Sequence, residues 1–228
     1  GQIFQDIKRK GKYLIFILTD IILVSHLRME GKYLLRNQEE IEKHEHLIFY
    51  FTDGTNLRYH DVRKFGTMNL FKTLDLNLVL NSEPLVKVGF DPLEDDFKIE
   101  DVFDRFQNSS RPIKTSLLDQ RIISGIGNIY VDEICFLSGI HPETSTKNLT
   151  YEQVEKLIEN SRLVLRKAIK LGGTTIRSFS SQEISGRFQN ELLVHSKSIC
   201  PTCNNKIQKI RVGGRGTYLC ENCQKLLD

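Results

Sequence analysis

The first ninety residues alternate short apolar runs with polar breaks, at the length of strands rather than helices. Apolar runs occupy residues 13–18, 21–27 and 32–35, and a fourth run leads into Asp53-Gly54 before another strand-like stretch. An Asp-Gly pair between two such runs is a strong short hairpin signal. The pattern therefore predicts an antiparallel β-sandwich or partial barrel over residues 1–90.

From about residue 88 the apolar positions follow a helical period instead, so residues 84–96 form the predicted linker. Thr150 and Gln153 fit a capping box, and the helix that follows keeps one apolar face until Gly172-Gly173. Shorter helices are predicted at residues 113–119 and 128–137, on either side of a glycine-rich turn. The pattern divides the rest of the chain into a helical domain over 91–185 and a tail over 186–228.

Composition limits the size of the core and suggests a partner. The chain has 228 residues, of which 39% are hydrophobic, enough for one good core or two modest ones. Its net charge is only +3, but basic residues concentrate near both ends. This asymmetry favours a polyanion partner, although solvated surface lysines would give the same charges. The sequence has no membrane-length apolar run and no visible signal peptide, which predicts a cytoplasmic protein.

The cysteines indicate a metal site in the tail. Four of the five lie in two CxxC pairs with sixteen residues between the pairs. This spacing is typical of one structural zinc on two hairpin knuckles, and so small a tail needs the metal to fold. The alternative is a pair of redox or structural disulfides. The predicted ligands are Cys200, Cys203, Cys220 and Cys223, whereas Cys135 is expected in the core.

Two glycine-rich stretches suit phosphate binding. The sequence GGRGTY displays Arg215 between glycines at the predicted hairpin tip, where its planar fork could hold a phosphate. A solvated arginine on a flexible tip is the alternative. In ISGIGNIY, Gly125 and Gly127 free the turn and Asn128 can cap the next helix, whose amino end favours an anion. Ordinary helix connections also use glycine, so this turn is weak evidence alone.

Five motifs in order give the family resemblance. GIGNIYVDEICFLSGIHP closely resembles the helix-two-turns-helix signature of formamidopyrimidine-DNA glycosylases. KRKGKYLIF, HDVRKFG, GGTTIRSF and the finger with GGRGTYLC occur in that family's order, over residues 6–225. The resemblance implies an α+β multidomain fold. Its parts are an antiparallel β-sandwich, incomplete here, a helix-two-turns-helix domain, and a C-terminal four-cysteine β-hairpin zinc finger.

The resemblance also implies a function in base-excision DNA repair. Members remove oxidised purines, such as 8-oxoguanine and formamidopyrimidines, from duplex DNA and nick the strand by β,δ-elimination through a Schiff base. The implied partner is double-stranded DNA with oxidised bases or abasic sites, bound by a monomer in the bacterial cytoplasm, at the nucleoid. Two alternatives stay open: a non-catalytic damaged-DNA-binding protein, and an endonuclease VIII-like glycosylase for oxidised pyrimidines.

Seven residues match DNA-contacting positions of the family. Four would clamp backbone phosphates near the damaged nucleotide. These phosphate clamps are Lys12, His26, Asn128 and Arg215. Three would fill the gap left by the extruded base. These wedge residues are Met29, Arg63 and Phe65. From the residues alone, Met29 and Phe65 could equally be core, and Arg63 could pair with Asp61. The RKF alternation puts Arg63 and Phe65 on one face, which favours a shared role and the purine-lesion branch.

The resemblance also suggests residues that would contact the damaged base, and this chain differs from the family pattern at some positions. The counterpart of the family's mobile lid is residues 180–186, with Ser180, Ser181, Gln182, Ser185 and Gly186 as lesion-loop residues. Glu133 matches an accessory glutamate near the active site, or is a structural helix residue. The family usually has glycine and serine around the wedge methionine, where this chain has Arg28 and Glu30, and tyrosine where it has His195.

The implied catalytic groups are an N-terminal proline, whose secondary amine attacks the sugar C1′, and a glutamate directly after it that handles protons. The family's pattern places both ahead of Gly1, so the resemblance implies an N-terminally truncated chain. We therefore expect a bifunctional DNA glycosylase and abasic-site lyase in the intact protein. These 228 residues alone are expected at most to bind DNA.

Overall fold

The computed structural model describes residues 1–37, 39–95, 97–174 and 186–227. Within them the chain forms two compact units that divide between Val86 and Lys87. The sequence placed this change of pattern inside the linker at 84–96. Among the described helices, none combines the length and the apolar character that crossing a membrane requires.

The first unit contains two antiparallel sheets. One sheet has the strand order β1-β2-β3-β7 and the other has the order β4-β6-β5. The strands are β1 (Asp6–Lys10), β2 (Tyr13–Ile17), β3 (Ile22–His26), β4 (Lys32–Arg36), β5 (Glu45–Tyr50), β6 (Asn56–His60) and β7 (Thr67–Phe71), followed by the short helix α1 (Leu76–Leu80).

A shared apolar cluster packs the two sheets together. Buried Phe16 and Leu23 from the first sheet contact Tyr33 and Phe49 from the second. Side chains on successive strand positions point to opposite faces, so each sheet contributes one face to this layer. The predicted β-sandwich is therefore confirmed.

The predicted hairpin is also confirmed. It joins β5 to β6 around Gly54, which has a φ of 87°.

The second unit is helical around one core. Its helices are α2 (Ile99–Gln107), α3 (Ile113–Leu117), α4 (Asn128–Ser138) and α5 (Tyr151–Lys170). The capping box of α5 is present in full: the Thr150 hydroxyl accepts from the Gln153 amide, and the Gln153 side chain accepts from the Thr150 amide. Cys135 is fully buried in this core, as expected.

The tail folds as a hairpin within the second unit. Strands β8 (Gln208–Val212) and β9 (Arg215–Leu219) pair antiparallel, and we call them the finger hairpin. Only a small group of buried apolar residues supports it, including Val194 and Ile207, with Phe136 contributed by α4. This core is too small to hold a β tail alone, which agrees with a metal requirement.

The chain is fixed on both sides of residues 175–185. Thr174 and Arg187 form an isolated antiparallel bridge, and the Arg187 amide donates to the Leu171 carbonyl at 2.8 Å. A Cβ on Gly186 would lie 2.3 Å from the Gly173 carbonyl oxygen, so only glycine fits there. Of the predicted lesion-loop residues, Gly186 is described, whereas Ser180, Ser181, Gln182 and Ser185 lie outside the described residues.

Candidate nucleic-acid interface and zinc centre

The four finger cysteines converge on one point. Their sulfur atoms all lie within 4.8 Å of one another, with 3.8 Å between Cys200 and Cys223 and 3.4 Å between Cys203 and Cys220. All four are free thiols in the structure, which argues against the disulfide alternative. Zinc–sulfur distances of about 2.3 Å in a tetrahedron place the sulfurs about 3.8 Å apart, so the cluster fits zinc.

Local backbone geometry prepares one of these cysteines as a ligand. A hydrogen bond from the Asn205 amide, ahead of opposing burial, lowers the pKa of Cys203 to about 6, so its thiolate is accessible near neutral pH. By contrast, burial raises the pKa of Cys135 to about 12, which keeps that thiol protonated. Burial also raises the pKa of Cys223 to about 12, so convergence of the four sulfurs, rather than pKa, separates the metal site from the core cysteine.

The turn of the finger hairpin requires its glycines. Gly213 and Gly214 have φ values of 54° and 79°, in the left-handed region. A Cβ on Gly213 would also lie 2.3 Å from the Thr115 methyl carbon, so the turn rests directly against α3. Arg215 follows this turn with an exposed side chain, and within the described residues its guanidinium has no hydrogen-bond or ion-pair partner. The turn therefore presents a cation from a supported position.

The carbonyl of Gly216, the residue after Arg215, accepts hydrogen bonds from two side chains. The ammonium of Lys114 donates to it at 3.0 Å and the side-chain amide of Asn128 donates at 3.1 Å. Asn128 begins α4, whereas Arg215 begins β9. Asn128 thus contacts the residue directly after Arg215, a second predicted phosphate clamp, and it keeps its second amide hydrogen for another acceptor.

The expectation that Asn128 caps α4 is wrong. The N-cap residue is Gly127, in an extended conformation, and Asn128 is already the first helical residue. Its side-chain amide nitrogen instead donates to the Gly216 carbonyl of the finger hairpin.

A buried ionic network fixes the finger hairpin to α4. The ammonium of Lys114 lies 2.7 Å from one carboxylate oxygen of Asp132, and both side chains are fully buried. The other carboxylate oxygen accepts from the Tyr218 amide at 3.1 Å and lies 2.7 Å from the His195 ring nitrogen Nδ1. Buried charges require such pairing, so the network determines where β9 can lie.

Sequence reasoning missed Lys114 and Asp132 and treated His195 only as a departure. Lys114 and Asp132 lie on the apolar faces of their helices, and this position could have indicated that they are buried. Their partners are distant in sequence, so the ion pair itself was not visible.

Glu133 is fully used by the backbone. Its carboxylate accepts hydrogen bonds from the amides of Leu193, Val194 and His195, at 2.7 to 3.1 Å. This arrangement supports the structural alternative for Glu133, because three backbone amides already occupy both oxygens of its carboxylate. Its accessory catalytic role stays a prediction from the resemblance.

In the first unit, His26 is held as a neutral hydrogen-bond donor. Burial, followed by the charges of Arg28 and Lys12, lowers its pKa to about 4. The Arg28 amide lies 2.9 Å from Nδ1, which assigns the acceptor role to that atom and the proton to Nε2. The ring packs edge-on against Tyr13 at 4.5 Å. A neutral N–H of this kind can donate to a phosphate oxygen.

Two of the wedge residues are exposed rather than core. Met29 is 68% exposed and Phe65 is 51% exposed, so the core-packing alternative is wrong. The Arg63 guanidinium lies 4.6 Å from the centre of the Phe65 ring, which confirms that the two share one side of the chain. Arg63 pairs with Glu30 at 4.0 Å rather than with the Asp61 carboxylate.

Asp61 organises the loop that carries Arg63 and Phe65. Its buried carboxylate accepts from the Tyr59 hydroxyl at 3.0 Å and from the amides of Arg63 at 3.1 Å and Gly66 at 2.9 Å. Burial alone would raise the pKa of Asp61, but these hydrogen bonds outweigh it and hold the pKa below its ordinary value. The loop shape therefore depends on an ionised carboxylate.

Three family models match successive parts of the chain. They are the formamidopyrimidine-DNA glycosylase N-terminal domain over residues 1–68, the formamidopyrimidine-DNA glycosylase H2TH domain over residues 88–180, and the zinc finger found in FPG and IleRS over residues 199–226. The last match, together with the converging sulfurs, identifies the cysteine cluster as a structural zinc site.

Individual proteins agree with the models over nearly the whole chain. The formamidopyrimidine-DNA glycosylase of Mycoplasma genitalium is 49% identical over 232 residues, covering 99% of this chain and 80% of the relative. That of Bacillus licheniformis is 47% identical, covering 99% and 82%.

Solved Lactococcus lactis structures extend the agreement to three dimensions. One is an FPG mutant in complex with Fapy-dG containing DNA, and another is Fpg with abasic site containing DNA. Each has a TM-score of 0.91 at 43% identity and covers 99% of this chain and 83% of the other. With this identity and coverage, the chain belongs to the formamidopyrimidine-DNA glycosylase family.

Proposed function

We propose that the protein is a base-excision repair DNA glycosylase that binds duplex DNA with oxidised purines and acts on the damaged nucleotide. The observation that carries this proposal is the hydrogen bond from Asn128 to the carbonyl of Gly216, the residue after exposed Arg215, on a hairpin held by the cysteine cluster and a buried ionic network. Family membership supplies the reaction class. Chromosomal DNA is the substrate, so the nucleoid of a bacterial cell is the proposed place of action.

The four phosphate clamps include both charged and neutral hydrogen-bond donors, and both kinds can bind the phosphates of a DNA strand. Arg215 and Lys12 provide full charges, His26 provides a neutral N–H, and Asn128 provides an amide hydrogen. Charged contacts release counterions and give affinity in any sequence, whereas neutral donors add direction. We infer that the charged clamps determine the salt dependence of binding and the neutral clamps fix the register.

The wedge residues suit a duplex from which one base has been extruded. Met29 and Phe65 are apolar and exposed, so they lose an unfavourable contact with water when they replace a stacked base. Arg63 lies over Phe65 and retains donors for the base on the opposite strand. Removing Arg63 should therefore change discrimination of the opposite base more than overall affinity.

Binding can be tested by fluorescence anisotropy on an 8-oxoguanine duplex at several salt concentrations. Arg215→Ala and Lys12→Ala should each lower the slope of log affinity against log salt by about 0.9, the value for one lost phosphate contact. Arg166→Ala is a matched control, since it removes one arginine from the exposed side of α5, in a cavity lined by Glu159 and Lys170. Equal slopes for all three variants and the wild type would remove the clamps from the interface.

The Schiff-base chemistry can be tested separately by borohydride trapping on the same duplex. We would compare this chain with a chain that carries the implied Pro-Glu start ahead of Gly1. An adduct from the second chain only is the expected result. An adduct from both would place a nucleophile within these 228 residues, and an adduct from neither would favour a damaged-DNA-binding protein.

A further inference from the structure

A basic cavity lies beside the finger hairpin, within the second unit. It has a volume of about 510 Å³ and is lined by α3, the residues on both sides of α3 and the hairpin turn. Three arginines face it, and one carboxylate, Asp119, is their only acidic neighbour among the lining residues. We call this cavity the arginine pocket; its cations are Arg111, Arg121 and Arg215. Three guanidiniums against one carboxylate leave an excess of two positive charges.

Asp119 holds two of these guanidiniums in place. Arg121 binds it in a two-pronged contact, with nitrogen–oxygen distances of 3.0 and 2.8 Å. Arg111 donates at 3.0 Å to Oδ2, the oxygen that also accepts one of the two Arg121 contacts. Asp119 is only 10% exposed, and the hydrogen bond from Arg121 holds its pKa well below the ordinary range. Ordering long side chains in advance reduces the entropy that a ligand contact would cost.

The remaining donors of the pocket face outward. The Arg121 side chain is 72% exposed and the Arg111 side chain is 47% exposed, despite their contacts with Asp119. Their guanidiniums carry five N–H donors each, and Asp119 uses only part of that number. The third cation, Arg215, lies on the same cavity because Gly213 packs against Thr115 at its edge. Such an arrangement fits an anion with several acceptor oxygens, of which a phosphodiester is the plainest example.

We propose that the arginine pocket binds a second backbone phosphate of the DNA, next to the phosphate bound by Arg215, with Arg111 and Arg121 as its ligands and Asp119 as the residue that positions them. This inference rests on the proposed DNA-binding function. The proposed DNA interface then runs from the finger tip along α3, and Arg215 lies between the two phosphate sites. A nearby phosphate also suits the charge excess, which no lining residue balances.

The experiment scans the phosphates of an 8-oxoguanine duplex, replacing them one at a time with neutral methylphosphonates. In the wild-type protein, neutralising either of two neighbouring phosphates should weaken binding about tenfold, as expected for a charge-assisted hydrogen bond. In Arg111→Ala/Arg121→Ala, one of these effects should disappear and the salt slope should fall by about 0.9. In Arg215→Ala, the effect at the other phosphate should disappear instead.

Control variants separate this inference from charge loss, misfolding and failure of the proposed function. Arg166→Ala should leave the methylphosphonate pattern unchanged. Arg111→Lys/Arg121→Lys keeps the charges and should recover part of the salt slope, and zinc content reports folding. If the double alanine variant keeps the wild-type pattern while Arg215→Ala does not, the pocket is no DNA site but the function stands. If the wild type shows a pattern that neither variant changes, both the pocket and the Arg215 clamp are excluded. If no neutralised phosphate weakens binding of the wild type, the DNA-binding function itself fails.

The arginine pocket could instead bind a small free anion, and a second measurement distinguishes this alternative from DNA binding. Inorganic phosphate should stabilise the wild-type protein against heat only weakly, because a single phosphate group lacks the neighbouring contact at Arg215. Strong stabilisation by inorganic phosphate, lost in the double alanine variant and combined with an unchanged DNA salt slope, would overturn the proposal and assign the pocket to a free anion.

Discussion

The two units present their proposed DNA contacts by different physical means. In the first unit, the loop with Arg63 and Phe65 is shaped by one buried carboxylate, Asp61. In the second, Arg215 stands on a turn supported by a zinc centre and by the buried Lys114–Asp132 pair.

Backbone conformation differs in the same way. The finger turn uses glycine at both positive-φ positions, Gly213 and Gly214, where the conformation costs little. The first unit places Arg28 and Lys64 at φ values of 54°, where a side chain is strained. The comparison suggests that the finger is built for a fixed position and that the wedge loops store strain beside exposed side chains.

Loss of zinc should have the largest effect. Chelation or Cys220→Ser should unfold the finger hairpin, because structural zinc supplies about 10–16 kcal/mol in small finger domains. Hydrogen exchange should then speed up over residues 199–226 while β2 keeps its protection. Cys135→Ala is the matched control and should retain stoichiometric zinc. Unchanged exchange in metal-free protein would contradict the assigned role of the metal.

Breaking the buried ion pair should have the next largest effect. Lys114→Met leaves the Asp132 carboxylate buried without its main partner and should destabilise the second unit by about 3–5 kcal/mol. The double variant Lys114→Met/Asp132→Asn should recover much of this loss, because no uncompensated charge remains and the side-chain oxygen at position 132 can still accept from the Tyr218 amide. Urea unfolding monitored in the second unit measures both. Additive losses in the double variant would show that the pair is not coupled.

The carboxylate of the wedge loop should have a smaller and pH-dependent effect. Asp61→Asn keeps the shape but loses charged hydrogen bonds, at a cost of about 1–3 kcal/mol at neutral pH. The folded pKa of Asp61 is lowered, so its stabilisation is present above the ordinary carboxyl pKa of about 3.9 and is lost as pH falls through the folded value. Urea midpoints of the wild type should therefore fall more steeply below pH 4 than those of the variant.

Relief of strain at Arg28 should have the smallest effect, and in the opposite direction. Arg28→Gly should stabilise the first unit by up to about 1 kcal/mol, since glycine tolerates a φ of 54°. It also removes a cation that lowers the pKa of His26, so that pKa should rise from about 4. Arg28→Ala is the control: it should shift the His26 pKa equally, measured by NMR, without the gain in stability.

Local rules were enough for several elements. The capping box at Thr150 and Gln153 and the Asp53-Gly54 hairpin follow from neighbours a few residues apart, and both were predicted from the sequence. The two-residue spacing of Arg63 and Phe65 likewise predicted a shared side, although the chain there is a loop with Lys64 at positive φ. Short-range geometry is visible in sequence because it needs no knowledge of the rest of the fold.

Long-range contacts explain what sequence could not predict. Asp132 and Glu133 look like an ordinary acidic pair on a helix, yet both are buried. Their partners at residues 193–195 and at Tyr218 lie 60 to 86 residues away in the sequence, which gives no local sign of them. Asn128 was taken for a helix cap, since nothing nearby in sequence reveals the Gly216 carbonyl. The arginine pocket likewise joins α3 to a hairpin about a hundred residues later.

The contacts among Gly173, Thr174, Gly186 and Arg187 hold the two ends of residues 175–185 whatever lies between them. Because the two ends of the intervening segment are already held together, its length and sequence can vary with little penalty: doubling a flexible loop costs only about 0.6 kcal/mol. Insertions or deletions between Thr174 and Gly186 should therefore change the free energy of unfolding little and leave the cysteine cluster and the helical core unchanged.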